Sequence, residues 1–452
     1  MALLLSISSK DYTIGDFKKN YFKIITATKG FYEVKAGFEN VNNEIVVGTG
    51  FVNRDLYTDI ITVTKDRKVG HFYLYDEDAN TFKLNMTTPP LPEDETILSI
   101  KLTQINIQHV HPDVLVITQL KDQNLITTSF RYYSINIASG EGFKYTLKEI
   151  NFKSSVKNIS PEPQEPFNIQ IFENNRLVDY WLLMQDKERL LYFYDRENDT
   201  FTAKKFNDII DQECENCVDL SNINDKIIPA AYTSAYMDIN RDCRADIILE
   251  SVDENNNRFL EFYYYMNSKF GLIKVVPIPK SYSLGTVEDI NENSNPDLLF
   301  IDKETGKLVI HLNNYSLKNQ KSDFYCSQSG STEFMYPSLL DPTQTSYLLT
   351  QELVADAKLI DNKELGIHGF IKLGDLDLDS YKDLILNMTV NGKNEVYVFL
   401  NRPCKSSQIE DNGVDSELCR YFDIKAISDE DINIMKKRNA MSSFYFDLGE
   451  RG

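Results

Sequence analysis

The sequence has no apolar run of the roughly 20 residues that a membrane-spanning helix needs. Its opening apolar run, Ala2 to Ile7, is shorter than the core of a typical signal peptide. Taken alone, these two absences favour a soluble, cytoplasmic chain.

Histidines are few, and the usual catalytic motifs are missing. Of the five histidines, His71 and His311 fall in predicted strands, where a structural role is the usual one. His109 and His111 could share one strand face as metal ligands, but no third ligand lies near them in the sequence. There is no GxSxG, HExxH, GxxxxGK or dinucleotide fingerprint. We therefore expect no enzymatic activity, and keep a hydrolase as the alternative.

Positive charge is also in short supply. The chain has 48 Lys and Arg against 68 Asp and Glu, which gives a formal net charge of −20. A phosphate backbone is repelled by such a protein at long range. The balance argues against nucleic acid as a partner and makes divalent cations plausible ones.

Aromatic and β-branched residues are abundant and clustered, which favours strands. Tyr and Phe number 26 each, against a single Trp, and they occur together in segments such as Phe262 to Tyr265. With 42% apolar residues in 452, the chain can bury a large core. We expect an all-β fold.

One pattern recurs along the chain, D-x-[DN]-x-[DN]-x-x-x-D followed at once by an apolar strand. We number its residues one to nine and call the three good copies the intact loops. Their residues at positions one, three, five and nine are Asp238, Asn240, Asp242 and Asp246; Asp289, Asn291, Asn293 and Asp297; and Asp375, Asp377, Asp379 and Asp383.

Three degenerate copies precede them, near 51–59, 104–113 and 171–179. In the first, Phe51 replaces the first Asp, and in the third Ile171 does. The second copy is one residue too long. A seventh copy begins at Asp447, and the sequence ends at Gly452.

Each copy is followed by a second alternating strand, and four of these run into a turn that ends at Phe. Four-stranded blades of about 40 to 50 residues around an axis are one way to avoid open sheet edges. We predict one β-propeller over residues 1–452, with seven blades, the last of them cut short. Residues 207–214 and 428–439 are the two segments expected to be helical.

The side chains of the repeat suit a hard cation. Oxygens at positions one, three and five of a tight loop, closed by a carboxylate at position nine, are typical of calcium ligation. An EF-hand is excluded, because its position-twelve Glu is here Leu249, Phe300 or Leu386. Solvated turns are the competing interpretation. Four carboxylates in the 375–383 loop would repel one another without a cation, which favours calcium there most strongly.

The phrases YMDINRDCRADIIL, VEDINENSNPDLLF and LGDLDLDSYKDLIL resemble the FG-GAP or VCBS repeats of integrin α-subunits. The order of the copies and the NRPC segment ending at Cys404 resemble the T-cell immunomodulatory protein family. Gly at position six, usual in FG-GAP loops, is replaced here by Cys243, Ser294 and Ser380. The resemblance implies that the twelve loop residues named above bind calcium. It also implies a type I membrane protein with a signal peptide, a glycosylated extracellular propeller and one C-terminal span.

Cysteines and sequons favour the secretory pathway. Cys404 and Cys419 bracket a polar insertion, within 402–420, that a disulfide would staple. Cys214 and Cys217 form a CxxC without a second pair, so a local disulfide or two free thiols is expected there and not zinc. Glycosylation sequons begin at Asn85, Asn158, Asn198, Asn314 and Asn387.

The function expected from all this is that of a calcium-binding extracellular propeller serving as an interaction or adhesion module. Its partner would be a protein or glycan bound at the propeller rim. A hydrolase on a propeller scaffold and a structural protein of the secretory pathway are the alternatives. Contact with a membrane would come only from a C-terminal span outside this chain.

Overall fold

A computed structural model of the chain is all-β, and its described residues contain two short 3-10 helices but no α-helix. The described residues are 21–26, 30–35, 44–53, 55, 57–76, 79, 81–103, 111–122, 125–137, 145–150, 158–160, 167–173, 176–185, 188–195, 200–214, 216–223, 226, 228, 234–266, 268–293, 295–302, 304, 307–311, 313, 334–336, 339, 357–359, 371–374, 381–390, 393–403 and 420–423.

The chain divides into two compact units, which are described separately. Unit 1 comprises Met1–Val156, Ile360–Arg402 and Phe422–Gly452, and unit 2 comprises Lys157–Leu359 and Pro403–Tyr421. Both are built from small antiparallel sheets whose strands lie side by side in chain order.

Unit 1 begins with a hairpin and two four-strand meanders, sheets I and II. The hairpin is β1 (Tyr21–Thr26) and β2 (Gly30–Lys35); sheet I is β3 (Glu44–Gly50), β4 (Asp59–Thr64), β5 (Gly70–Asp76) and β6 (Thr81–Thr87); sheet II is β7 (Glu95–Thr103), β8 (Asp113–Asp122), β9 (Leu125–Ile137) and β10 (Tyr145–Ile150).

Unit 2 contains sheets III, IV and V and two further short strands. These strands are β11 (Asn158–Ser160), then in sheet III β12 (Phe167–Glu173), β13 (Arg176–Gln185), β14 (Glu188–Asp195) and β15 (Thr200–Lys205), in sheet IV β16 (Ala235–Met237), β17 (Asp246–Val252), β18 (Arg258–Met266) and β19 (Lys269–Ile278), in sheet V β20 (Tyr282–Glu288), β21 (Asp297–Asp302) and β22 (Lys307–His311), and then β23 (Ala357–Leu359). The 3-10 helices are Phe206–Ile209 and Leu220–Asn222.

Sheet VI returns to unit 1 with β24 (Ile371–Gly374), β25 (Asp383–Val390) and β26 (Lys393–Pro403), and the last strand is β27 (Arg420–Asp423). In it, β25 pairs with β24 on one side and β26 on the other.

The apolar cores lie between consecutive sheets. In unit 1, Phe72 of sheet I and Val116 of sheet II belong to one core. In unit 2, Leu182 and Tyr263 belong to a core between sheets III and IV, while Phe262 belongs to the core between sheets IV and V. Neighbouring residues of β18 thus point to opposite covered faces. Strand β17 is likewise covered on both faces, and all seven of its residues are buried. This is why apolar residues follow one another at 247–249 and do not alternate with polar ones.

The predicted strands of the repeat are confirmed where the structure describes them. The segment 71–75 lies in β5, and its counterparts lie in β9, β14, β18, β22 and β26. Sequence reasoning did not assign the strand that precedes each loop. Two of these strands, β16 with three residues and β24 with four, are too short to show a period.

One degenerate copy, 171–179, is a wrong prediction. The segment is a β-hairpin in which Ile171 pairs with Val178 and Gln170 pairs with Asp179. Ile171 is 2% exposed, so its burial in the core fixes the segment as strand. The Gln170 amide donates to Asp179 Oδ1 at 2.7 Å, which leaves Asp179 a cross-strand partner rather than a loop-closing residue. The predicted helix at 207–214 is confined to the 3-10 helix Phe206–Ile209.

A disulfide joins Cys214 and Cys217, with their Cα atoms 5.4 Å apart, so the local disulfide is confirmed over the two free thiols. Its segment lies along β19, where the Val218 N–H donates to the Leu272 carbonyl at 2.7 Å. Cys243 is also disulfide-bonded. Cys404, Cys419 and residues 428–439 and 447–452 lie outside the described part of the chain.

Candidate metal centre

The acidic loops occupy one fixed place in the repeat. Each begins directly after the first strand of a sheet, and its position-nine Asp is the first residue of the second strand. This holds for the loops ending at Asp59, Asp246, Asp297 and Asp383. Asp113 likewise opens β8. The sequence pattern therefore placed these loops correctly.

In the 238–246 loop, side-chain oxygens fold back onto the backbone of the loop itself. The Asp242 N–H donates to Asp238 Oδ1 and to Asn240 Oδ1, at 3.1 Å in both cases. The Cys243 N–H donates to Asp238 Oδ2 at 2.8 Å, and the Arg244 N–H donates to Asp242 Oδ1 at 2.9 Å. Positions one and three thus converge on the backbone of position five.

The 289–297 loop has the same geometry. The Asn293 N–H donates to Asp289 Oδ1 at 3.1 Å and to Asn291 Oδ1 at 3.3 Å. The Asn295 N–H then donates to Asn293 Oδ1 at 2.8 Å. Two different sequences adopt one loop, and so the spacing of Asp and Asn rather than the intervening residues determines the shape.

The degenerate loop 51–59 keeps part of this arrangement without an acid at position one. The Asp55 N–H donates to Asn53 Oδ1 at 3.3 Å, and the Tyr57 N–H donates to Asp55 Oδ1 at 2.9 Å. Phe51 at position one is 52% exposed. The turn therefore forms without the first carboxylate. The replacement by Phe51 removes one oxygen ligand but keeps the hydrogen bonds of the turn at positions three and five.

The position-nine aspartates are fully buried and tie two parts of the chain together. In Asp246, Oδ2 accepts from the Ile239 N–H at 2.9 Å and Oδ1 from the Tyr265 N–H in β18 at 2.8 Å. In Asp59, Oδ2 accepts from the Val52 N–H at 2.8 Å and Oδ1 from the Tyr75 N–H at 3.0 Å. Each carboxylate therefore links position two of its loop to the strand that follows its own.

Asp297 and Asp383 repeat the contact. Oδ1 of Asp297 accepts from the Asn313 N–H at 2.6 Å, and Oδ1 of Asp383 from the Asn401 N–H at 2.8 Å. All four position-nine aspartates are 0% exposed. Their role in holding the sheet does not depend on whether the loop is intact.

Left-handed backbone is built into the loops at positions four and six. Arg241 and Glu292, both at position four, have φ of 63° and 57°, and Cys243 at position six has φ of 64°. These three residues are thus not glycine, although they adopt a conformation that favours glycine.

Burial and mutual repulsion raise the pKa values of the loop carboxyls. Burial raises the pKa of Asp238, and burial together with the charge of Asp238 raises that of Asp242. Burial raises the pKa of both Asp246 and Asp297 to about 8, although hydrogen bonds from backbone N–H groups act to lower it. A cation among these groups would favour the ionised forms.

The two intact loops of unit 2 are neighbours. Arg241, at position four of one, donates from Nη2 to the carbonyl of Asn293, at position five of the other, at 2.7 Å. Burial still raises the pKa of Asp238 and Asp242, and the charges of Arg241 and Arg244 offset part of that rise. These arginines offset part of the repulsion among the carboxylates.

The structure describes eight of the twelve predicted ligands, four in each loop of unit 2. Of the third intact loop it describes only Asp383, and Asp375, Asp377 and Asp379 lie outside the described residues. In the described part of the chain, no group of three or more His, Cys, Asp or Glu is arranged to hold a metal ion. The asparagine oxygens at positions three and five are not among those residue types.

Sequence reasoning missed the buried charge networks. Arg189 of sheet III donates to both carboxylate oxygens of Glu261 in sheet IV, at 2.5 and 2.8 Å, and to the Tyr263 hydroxyl at 3.1 Å. These partners are 72 and 74 residues apart, so no local spacing could reveal them. His71, expected to be structural, contacts Glu44 at 3.0 Å.

The sequons lie in varied places. Asn85, Asn158 and Asn387 are on strands β6, β11 and β25, whereas Asn198 and Asn314 lie outside the described residues. None of the described helices has the length and apolar character needed to cross a membrane.

No protein-family model and no curated protein matches the chain. Among solved structures it is similar to Sqt1 of Saccharomyces cerevisiae, at 9% identity over 80% of this chain and 77% of that one, with a TM-score of 0.34. It is also similar to a protein from Lactobacillus plantarum, at 10% identity over 84% of this chain and 81% of that one, with a TM-score of 0.34. A third similar structure is an oligogalacturonate lyase in complex with manganese, at 9% identity over 81% of this chain and 79% of that one, with a TM-score of 0.33. Likeness at these scores carries no argument about this chain.

Proposed function

We propose that the chain is a calcium-binding, non-enzymatic interaction module of the β-propeller type, with FG-GAP-like repeats as blades. The observation that supports it is the shared geometry of the two intact loops of unit 2. Each gathers the oxygens of positions one and three onto the backbone of position five, at the same place in successive sheets. Oxygen-rich loops of this kind suit calcium.

The propeller proposal rests on how the sheets are built and packed. Sheets I to IV are four-strand meanders in chain order, which is the topology of a propeller blade. The cores lie between consecutive sheets, as they do when blades pack face to face. The number of blades, seven, remains a prediction.

The partner is proposed to be a protein or glycan bound on exposed loops, and the compartment to be extracellular or the lumen of the secretory pathway. The disulfide between Cys214 and Cys217 supports an oxidising compartment. Recovery of a partner with and without chelator would test whether the interaction depends on calcium.

The calcium proposal is tested by calorimetry of the full chain in calcium and in chelator. Extracellular sites hold calcium with dissociation constants of about 10⁻⁴ to 10⁻³ M, so each site adds about 0.4–1.4 kcal/mol at millimolar calcium. Asp242→Asn removes a carboxylate from position five and should lose part of the calcium-dependent rise in melting temperature.

Asp253→Asn is the matched control. Asp253 caps the turn after β17 by accepting from the Asn255 N–H at 2.9 Å and the Asn257 N–H at 2.8 Å, outside every acidic loop. It should lower stability equally with and without calcium. A melting temperature indifferent to chelator, or an equal loss of the calcium response in both variants, contradicts the proposal.

A further inference from the structure

A short segment, 210–218, lies along the outer edge of sheet IV, and we call it the strap. The Asp211 N–H donates to the Phe270 carbonyl at 2.7 Å, and the Val218 N–H donates to the Leu272 carbonyl at 2.7 Å. Both acceptors are in β19, which pairs with β18 on its other side. The strap therefore covers the edge of β19 that faces away from β18.

Apolar side chains anchor the chain on both sides of the strap. Phe206 and Ile209 precede it, Leu220 and Ile223 follow it, and all four belong to the core between sheets III and IV. Charge works against the strap itself, because like charges along a short segment repel one another. The sequence from 211 to 219 contains no basic residue and four acidic ones: Asp211, Glu213, Glu215 and Asp219.

The disulfide between Cys214 and Cys217 constrains the middle of the strap. It closes a turn in which the Cys217 N–H donates to the Cys214 carbonyl at 3.2 Å. Asn216 in this turn has φ of 65°, a left-handed conformation that is unfavourable for a residue with a side chain. The covalent bond therefore holds the turn against a backbone cost as well as against charge repulsion.

Both sulfurs lie directly on the backbone of Gly271. A Cβ atom placed on this glycine would be 2.5 Å from Cys214 Sγ and 2.6 Å from Cys217 Sγ, so one small space holds both sulfurs. Atoms that are not bonded to each other stand about 3.5–4 Å apart in van der Waals contact. The space over Gly271 therefore fits a disulfide better than two thiols, and reduction displaces part of the strap.

From this arrangement we infer that the strap is redox-sensitive, and that a dithiol reductant opens it and uncovers the outer edge of β19. One thiolate of the dithiol attacks a cysteine sulfur, forms a mixed disulfide and expels the other cysteine as a thiolate. The second thiol of the reductant then attacks the reductant's own sulfur in the mixed disulfide, closes an internal disulfide and releases the remaining cysteine.

The exchange is balanced without any further reactant. Two electrons pass from the dithiol to the protein, and the two protons of the dithiol end on Cys214 and Cys217. In the open strap, the Phe270 and Leu272 carbonyls lose the N–H donors that they have in the closed one. An uncovered strand edge offers such groups to a strand of another chain.

The test is amide hydrogen exchange of the full chain, read by mass spectrometry on peptides covering 211–218, before and after treatment with dithiothreitol. Alkylation of the new thiols verifies that Cys214 and Cys217 are reduced. The Asp211 and Val218 amides should then exchange about tenfold faster, because the open strap no longer protects them. Amides that pair β17 with β18 should keep their exchange rates, since these strands remain paired inside the sheet.

Two variants separate the strap from other effects of the reductant. Cys214→Ala/Cys217→Ala lacks the disulfide, so its exchange at 211–218 should be the same with and without dithiothreitol. It controls for reduction of the disulfide of Cys243. Gly271→Ala places a methyl group where the sulfurs lie, and should speed exchange at 211–218 in the oxidised protein.

Four results would overturn the inference. They are a disulfide that dithiothreitol does not reduce in the folded protein, and unchanged exchange of the strap after verified reduction. The other two are an equal response to dithiothreitol in the double variant, and exchange in Gly271→Ala that equals that of the oxidised wild type.

Discussion

The aspartate at position nine shows how one residue can serve the fold whatever its loop binds. In the 51–59 loop, where Phe51 replaces the first acid, Asp59 still accepts backbone N–H groups from Val52 and Tyr75. Asp246 makes the equivalent bonds in an intact loop. The recurrence of Asp at position nine therefore reports a shared way of holding the second strand. Calcium ligation must be argued from positions one, three and five.

The burial of Asp59 predicts a pH dependence. Burial raises its pKa to about 7, from an ordinary value of 3.8. Since the folded protein holds the proton more tightly than the unfolded chain, the stability that Asp59 contributes is complete below about pH 4 and is lost as pH rises through 7. Asp59→Asn cannot ionise, so wild type should lose on the order of 4 kcal/mol relative to the variant over that window.

Urea unfolding of both proteins from pH 4 to 8 measures this difference. Asp66→Asn is the control, because the Thr64 hydroxyl lowers the pKa of the exposed Asp66. Its contribution should instead appear above the unfolded pKa and fade as the solution becomes more acid. A flat difference between wild type and Asp59→Asn would show that the carboxylate is ionised throughout.

The left-handed position four predicts a stabilising substitution. Glu292 is exposed and has φ of 57°, so Glu292→Gly removes a clash that costs about 1–2 kcal/mol. The added entropy of Gly in the unfolded chain takes back about 0.5–1 kcal/mol. The variant should gain about 0.5–1 kcal/mol in chelator, measured by denaturant unfolding.

Glu304→Gly provides the matched comparison. Glu304 is exposed in the turn after β21 and is not among the residues with positive φ. Its change to Gly should therefore destabilise by a few tenths of a kcal/mol to about 1 kcal/mol. If both substitutions shift stability in the same direction, backbone strain at Glu292 is not the cause.

At the scale of elements, sheets are joined by buried charge as well as by apolar packing. Arg189 of β14 and Glu261 of β18 are 7% and 0% exposed at their side chains, and Tyr263 also donates to Glu261 at 2.6 Å. The network spans the core between sheets III and IV. A buried pair of this kind specifies which faces meet, since a misaligned sheet would leave a charge unpaired.

Glu261→Gln should therefore destabilise unit 2 by about 3–5 kcal/mol, because it leaves Arg189 buried without its counter-ion. Glu188→Gln breaks the Lys205 pair, whose side chains are 58% and 62% exposed, and should cost less than about 1 kcal/mol. Chemical unfolding followed by tryptophan fluorescence is suitable, since Trp181 in sheet III is the single tryptophan. Similar losses in the two variants would mean that the buried network is not a principal link.

At the scale of the whole molecule, the net charge of −20 makes bound cations stabilising in general. The three intact loops differ in their carboxylates: four in 375–383, three in 238–246 and two in 289–297. If charge sets affinity, calcium should bind in that order. Asp379→Asn should then remove more of the calcium-dependent rise in melting temperature than Asn293→Ala does. Equal sensitivity to calcium in these two variants, measured by calorimetry, would refute the ranking.

The sequence by itself determined the all-β class, the second strand of each repeat and the place of the loops. These depend on local rules: alternation for strands, and the spacing of Asp and Asn for a turn that closes on its own backbone. It failed at 171–179, where the spacing matched but the burial of Ile171 imposed a hairpin. The spacing of Asp and Asn does not show which neighbouring residues will be buried in the core.

Only the tertiary structure decided which distant residues meet. Arg189 pairs with Glu261, Arg241 contacts the neighbouring loop, and Arg67 contacts Ile97. In each case the two partners are 30 or more residues apart in the sequence. That Nε and Nη2 of Arg67 have no partner in the described structure also depends on which groups lie nearby. Pairing across sheets depends on how faces pack, and that packing follows from the summed burial of many apolar side chains. No single stretch of sequence contains that sum, so these contacts could not be predicted from motifs.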